Sequence, residues 1–237
     1  MSVGWEESAA AWIADMGEAG DFARVHVLDR PMLARVRGRG FGTALDVGCG
    51  EGRFCRMLRD AGITPVGIDP TLALLEQARR RDPEGDYRAG RAEALAFPNG
   101  SFDLVVSYLT LIDITDAAAA IAEMARVLRP GGALLIANLA SFFTAAAPHH
   151  WAKGTDGVER FVIDNYAEER ADWASWRGIR IRNWHRPMSV YMSHLLGQGL
   201  VLRHFEEPMP LGGDPDRAAR YRRVPWFVLM EWQKPLA

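Results

Sequence analysis

From Phe41 to Ala140 the chain alternates short apolar runs with longer amphipathic ones. FGTALDVG, TPVGID, SFDLVVSYLTLI and ALLIANLA are rich in Leu, Ile and Val and are bounded by turn residues, as buried strands are. GDYRAG is a weaker strand. Between them GRFCRMLRDAG, PTLALLEQARRRD and TDAAAAIAEMARVLRPGG read as helices. The first stops at Gly62. The second has Pro70 in its first turn and arginines at its end, where the helix dipole favours them. The third is closed by Pro130 and Gly131. Strand following helix in this way predicts an α/β fold with a parallel sheet covered on both faces. Right-handed crossovers make it doubly wound, and ligands of such sheets bind beyond the carboxyl ends of the strands.

The flanks follow other patterns. Two helical segments open the chain, the second with Asp21 as N-cap, Gly38 as C-cap and Pro31 as a kink or break. Ser141 to Arg186 breaks the alternation and is rich in Trp, His and charge, and no elements are assigned to it. HRPMSVYMSHLLGQG reads as a helix. Leu200–Glu207 and Pro225–Gln233 read as strands forming an antiparallel pair at the sheet's edge, and 208–223 as a loop or mobile segment.

The sharpest local feature is TALDVGCGEGRF, where an apolar strand ends on Asp46 and is followed by Gly48, Gly50 and Gly52. A dinucleotide turn is spaced G-x-G-x-x-G, and Arg53 stands where its third glycine belongs. Asp46, with Glu51 inside the turn, would repel a pyrophosphate and suits a ligand amino group. Asp69 ends the second strand, where an acid accepts hydrogen bonds from ribose hydroxyls. The site asks for an amine, close backbone approach and a ribose, without phosphate.

Composition narrows the picture further. The 237 residues carry a net charge of −2, which speaks against a general nucleic-acid or anionic-membrane surface. Cys49 and Cys55 are the two cysteines, too few for a disulfide framework and without metal-site spacing, so no metal is expected and a reducing compartment fits. There is no basic leader before an apolar stretch, and no run long enough to span a membrane. The expected location is cytoplasmic.

ALDVGCGEG resembles the first motif of class I S-adenosylmethionine-dependent methyltransferases, and VGIDP their ribose-binding acid. GRAEALAFPNGSFDLVVSYLTL is similar to the adenine-binding stretch and fourth strand of the small-molecule branch, and EMARVLRPGGALLIA to the helix and fifth strand that follow. The resemblance implies a Rossmann-like, seven-stranded sheet, parallel except for an antiparallel C-terminal edge pair. It also implies a helical lid over residues 1–40 and a catalytic domain over 41–237, with the insertion at about 141–186 lying over the acceptor pocket. S-adenosylmethionine is the implied cofactor and S-adenosylhomocysteine its product. Gly48, Cys49, Gly50 and Gly52 would approach its methionine part and Asp46 its amino group. Asp69 would take the ribose with Pro70 beside it, Ala92 and Glu93 the adenine, and Ser107, Tyr108 and Leu109 the floor near the sulfonium. The Asn-Pro-Pro-Tyr type of motif used on DNA bases and glutamine is replaced by SYLT. That points to O-, N- or C-methylation of a small molecule by a monomer or homodimer, rather than to a transfer RNA or protein substrate. A non-catalytic cofactor-binding regulator and a transfer RNA or protein methyltransferase are the alternatives that the residues leave open.

For acceptor chemistry His185 is the candidate base, since histidine titrates near neutrality. It also reads as an anchor, with Trp184, for the returning chain. Trp5, Trp12, Trp151, Trp184, Tyr191 and the pair His149–His150 are the candidates for the pocket wall.

Overall fold

The computed structural model describes residues 4–146 and 150–236. Helix α1 (Trp5–Met16) comes first. The next helical stretch starts behind Asp21, whose carboxylate accepts the Arg24 N–H at 2.8 Å. A π turn over Arg24–Leu28 runs into α2 (Asp29–Ala34). Pro31 has no N–H to give the preceding turn and its ring crowds it. The widened turn just upstream absorbs that mismatch, so the stretch bulges instead of breaking.

The alternating region follows as β1 (Thr43–Val47), α3 (Arg53–Asp60), β2 (Thr64–Asp69), α4 (Leu72–Arg81), β3 (Asp86–Ala89), β4 (Phe102–Tyr108), α5 (Ala117–Val127) and β5 (Leu128–Leu139). After it come α6 (Ser141–Ala145), β6 (Trp151–Lys153), β7 (Glu159–Phe161), β8 (Arg170–Trp176) and β9 (Ile179–His185). The chain ends with α7 (Met188–Gly197), β10 (Val201–Glu206), α8 (Pro215–Tyr221) and β11 (Phe227–Gln233).

Seven strands form one sheet in the order β10-β11-β5-β4-β1-β2-β3. β11 runs antiparallel to both its neighbours, β5 and β10, and the other adjacent pairs are parallel. Both faces are covered, which is why the strands read as unbroken apolar runs. Leu45, Val47 and Val105 pack with Ile121, Met124 and Trp232 on one face. Ala44, Leu104 and Val106 pack with Leu28, Met32 and Leu229 on the other.

Several expectations need correction. Helix α5 stops at Val127, before Pro130, because Lys234 Nζ donates to the carbonyls of Ala125 and Leu128 at 2.7 and 2.8 Å and closes the helix end. Pro70 lies outside α4, whose N-cap is Thr71. The segment 208–223 holds α8, started by the Asp214 carboxylate on the Arg217 N–H at 2.8 Å with Pro215 in its first turn. The unassigned stretch resolves into two antiparallel hairpins, β6–β7 and β8–β9.

Helix α1 is fastened at two ends. Glu6 accepts the N–H groups of Leu72 and Ala73, at 3.2 and 3.3 Å, and so caps α4. Ser8 Oγ exchanges hydrogen bonds with the backbone of Arg180 on β9, and Arg177 pairs with Asp15 at 2.7 Å.

Candidate active site

The glycine turn sits at the carboxyl end of β1, against the end of β2. The N–H groups of Gly48 and Cys49 both donate to the Ile68 carbonyl, at 2.8 and 2.9 Å. The Gly50 N–H donates to Asp69 Oδ2 at 2.9 Å, and Thr71 N–H to Oδ1 at 2.8 Å. Asp69 thus ties the turn to the start of α4. Burial raises its pKa, against the opposing pull of those two bonds. A Cβ on Gly48 would stand 2.2 Å from Thr110 Cγ2, and one on Gly52 2.6 Å from the Tyr87 ring, both at positive φ. Gly50 has open space before it. The third glycine therefore serves packing, the first packs on Thr110 at the cavity wall, and the middle one opens into the cavity.

Asp46 is 1% exposed. Its Oδ2 takes a hydrogen bond from Cys55 Sγ at 3.4 Å, while Oδ1 has no partner. Burial above all, with Asp69 and Glu51 nearby, lifts its pKa to about 7. The Cys55 thiol is pushed well up by its bond to Cys49, by burial and by Asp46, so it stays a donor.

One cavity of 1230 Å³ spans the ends of these strands. That exceeds the roughly 300–1,000 Å³ of a pocket for a single small ligand. Asp46, Gly48, Cys49, Gly50, Asp69 and Pro70 line it, as do Ala92, Glu93, Tyr108 and Leu109. Leu109 holds a left-handed backbone, φ 57°, with its N–H on the Ala137 carbonyl. Trp5, Trp12, His150, Trp184 and His185 also reach the wall.

Other candidates lie elsewhere. Gly52 packs on Tyr87 instead of facing the cavity. Ser107 is fully buried and its hydroxyl has no partner. Tyr191 belongs to the core beneath the sheet. Trp151 packs under Arg220 and Arg223 and against Phe161. His149 lies outside the described residues.

His185 is 1% exposed. Its Nε2 faces the Tyr166 carbonyl at 2.9 Å, so Nε2 carries the hydrogen, and Nδ1 is left to accept from Thr144 Oγ1 at 2.7 Å. Burial lowers its pKa. The Thr144 hydroxyl, which also reaches the Ser141 carbonyl at 3.2 Å, lies on the cavity lining beside this imidazole.

Several lining residues escaped the sequence reading, among them Thr144, Asn183, Asp113 and Arg24. Asp113 accepts from Asn183 Nδ2 at 2.8 Å and from the Trp5 side chain, and burial pushes its carboxyl well up. It joins the loop after β4 to α1 and β9. A lone acid in the apolar stretch LTLIDI was its one signal. Arg24 pairs with Asp21 and stands 4.8 Å above the Trp12 ring. Among the described residues the wall carries Glu6, Asp21, Asp46, Glu51, Asp69, Glu93, Asp113 and Asp172 against Arg24, Arg53 and Arg91. Such a wall favours a ligand carrying positive charge.

Residues 45–136 match the methyltransferase domain family. The chain is 36% identical over 186 residues to the malonyl-[acyl-carrier protein] O-methyltransferase of Salmonella typhimurium, covering 73% of this chain and 70% of that protein. The chain belongs to the S-adenosylmethionine-dependent methyltransferases. Over 94 residues it is 40% identical to the demethylmenaquinone methyltransferase of Renibacterium salmoninarum, covering 40% of each. Against that protein and two other curated relatives it spans only about half of their length. The crystal structure of an S-adenosylmethionine-dependent methyltransferase from Mesorhizobium loti superposes with a TM-score of 0.78 at 26% identity, over 91% of this chain and 99% of that one. S-adenosylmethionine is the family's cofactor. No helix among the described residues is long and apolar enough to cross a membrane.

Proposed function

We propose that this methyltransferase methylates a small-molecule acceptor, with cofactor and acceptor sharing this cavity. The observation that carries the reading is Asp46: a buried carboxylate with one unpartnered oxygen, beside a glycine turn and in an acid-lined wall. Few ligands other than an ammonium-bearing cation relieve such a group. S-adenosylmethionine, when bound, supplies a methyl group on an electrophilic sulfonium.

The residues divide the work. Asp46 takes the amino group, Arg24 the methionine carboxylate, Asp69 the ribose hydroxyls, and Ala92 and Glu93 the adenine. Helix α1, held at Glu6 and Ser8, and the hairpin β8–β9 close over the site and shed water, which strengthens every charge interaction inside. For a hydroxyl acceptor, Thr144 Oγ1 receives the proton as its own passes to His185 Nδ1. The Tyr166 carbonyl on Nε2 steadies the imidazolium.

Titration calorimetry with S-adenosylmethionine tests the cofactor assignment: micromolar-range binding that Asp69→Ala abolishes supports it, and undiminished binding by that variant refutes it. Thr144→Val and His185→Gln should both slow turnover of a hydroxyl acceptor, with recovery at a pH where the acceptor ionises unaided. A loss independent of pH would remove the relay.

A further inference from the structure

Two arginines of the cavity lining are used in opposite ways. The Arg24 guanidinium gives one hydrogen bond among the described residues, from Nη1 to Asp21 Oδ2 at 3.1 Å. Four of its five N–H groups are left for an anion. Arg53 is the reverse. Its Nη1 and Nη2 fork onto the two oxygens of Asp29 at 2.8 and 2.5 Å, and its Nε and Nη2 reach the Ala19 carbonyl at 2.9 and 2.5 Å. A bidentate pair of this kind fixes geometry as well as adding energy. With four N–H groups committed, Arg53 holds protein and not ligand.

What it holds is the support of Arg24. The π turn begins at Arg24, and its closing bond runs from the Asp29 N–H to the Arg24 carbonyl. Asp29 is fixed in turn by Arg53 and by the Tyr108 hydroxyl, which donates to Oδ1 at 2.9 Å from the end of β4. On the other side of Arg24, the Asp21 carboxylate accepts the Arg24 N–H at 2.8 Å, two residues beyond Ala19. Gly20 lies between them at φ +97°, and a Cβ there would stand 2.8 Å from Arg53 Nε. The guanidinium thus comes against the backbone where glycine permits it. Arg53 brackets the segment 19–29 at both ends, from a position directly after the glycine turn. The residue that replaces a third dinucleotide glycine is a strut to the helices before β1.

Resting on the cofactor reading above, we infer that Arg53 is the positioning residue for the cofactor's carboxylate. It acts through Ala19 and Asp29, which set the backbone of Arg24 relative to the glycine turn. Without the strut Arg24 leaves its place, and the affinity it supplies falls with the fraction of molecules that still hold it there.

The test is calorimetry with two probes, S-adenosylhomocysteine and its decarboxylated analogue S-adenosyl-3-thiopropylamine, which differ only in the carboxylate. The readout is the ratio of their affinities. We expect wild-type protein to prefer S-adenosylhomocysteine by about tenfold or more. Arg24→Met should bring the ratio to about one, and Arg53→Met should bring it close to the same value. Arg53→Lys, which keeps the charge but not the fork, should fall between. Damage to the fold alone would lower both affinities and leave the ratio as it was. A wild-type ratio in Arg53→Met therefore overturns the proposal. If that variant binds neither probe, a wild-type ratio in Arg53→Lys overturns it instead. An unchanged ratio in Arg24→Met overturns the assignment of the carboxylate to Arg24, and wild-type protein that binds neither probe overturns the cofactor reading beneath both.

Discussion

Replacing Asp46 by Asn should make the empty protein more stable and the cofactor site worse. Burial lifts the Asp46 pKa from 3.8 to about 7. The folded protein thus holds a proton there more tightly than the unfolded chain does. Stability from this group is full below pH 3.8, falls as pH rises towards 7, and is flat above that. A shift of about 3 units corresponds to roughly 4 kcal/mol of cost at pH 8, at about 1.4 kcal/mol per unit. Asn removes the charge but leaves a buried amide at a site where Oδ1 has no hydrogen-bond partner, which costs back about 1–3 kcal/mol. The net gain at pH 8 is about 1–3 kcal/mol, or a rise of several degrees (~2–4 °C per kcal/mol) in Tm for a chain of this size. At pH 5 the wild type has largely reprotonated, so the gain should vanish or reverse. Thermal and urea unfolding of both proteins from pH 5 to 8 measures this directly. Calorimetric titration of the wild type with S-adenosylmethionine near pH 6, in buffers of different ionisation enthalpy, should show up to about one proton released as Asp46 meets the ammonium. A variant less stable than wild type at pH 8, or a stability difference independent of pH, would refute the argument that this carboxylate is buried at a cost for the sake of a cationic ligand.

Two further outcomes follow from the same structure. Gly48→Ala places a Cβ 2.2 Å from Thr110 Cγ2 at φ +75°, and should cost more than about 2 kcal/mol in urea unfolding; adding Thr110→Ala should restore only the part due to the clash. Glu231 is buried and bonded to Arg35 and Arg39; burial opposes its charge, but Arg39 and Arg35 outweigh it and hold the pKa below 4.5. Glu231→Gln should therefore lose about 2 kcal/mol at neutral pH, a figure reduced because the arginines are partly exposed, and the gap to wild type should close as pH falls below 4.5.

The parallel half of the fold was legible because each strand is buried on both faces and each helix has its own stops. Leu45 and Val105 face one core while Ala44 and Leu104 face the other, so successive positions within each run are apolar and the run is unmistakable. The hairpin β8–β9 was not legible, although Ile179 and Ile181 alternate with exposed Arg180, since its strands carry Trp and charge on the outer face and find their partner only in the hairpin itself. Helix α8 hid behind Gly212–Gly213 and Pro215, and it buries only Ala218 and Tyr221. In the site, backbone geometry was readable: the middle glycine faces the cavity and Asp46 and Asp69 flank it. Asp113 and Asn183 were not, because their contact joins residues 70 apart in sequence. Ser107 misled because strand alternation turns its side chain away from the cavity that Tyr108 reaches.

The position of β11 bears on how the molecule assembles. It is the last strand of the sheet in chain order, yet it lies between β5 and β10 and carries the Glu231 that holds Arg35 and Arg39 near the other end of the sequence. A sheet of this kind does not grow outward as the chain is synthesised. Until β11 arrives, β5 presents a long apolar edge with unpaired N–H and carbonyl groups, and two arginines await their carboxylate. The final strand acts as a keystone: it pairs on both sides, and its Glu231 ties the segment just before β1 to the sheet.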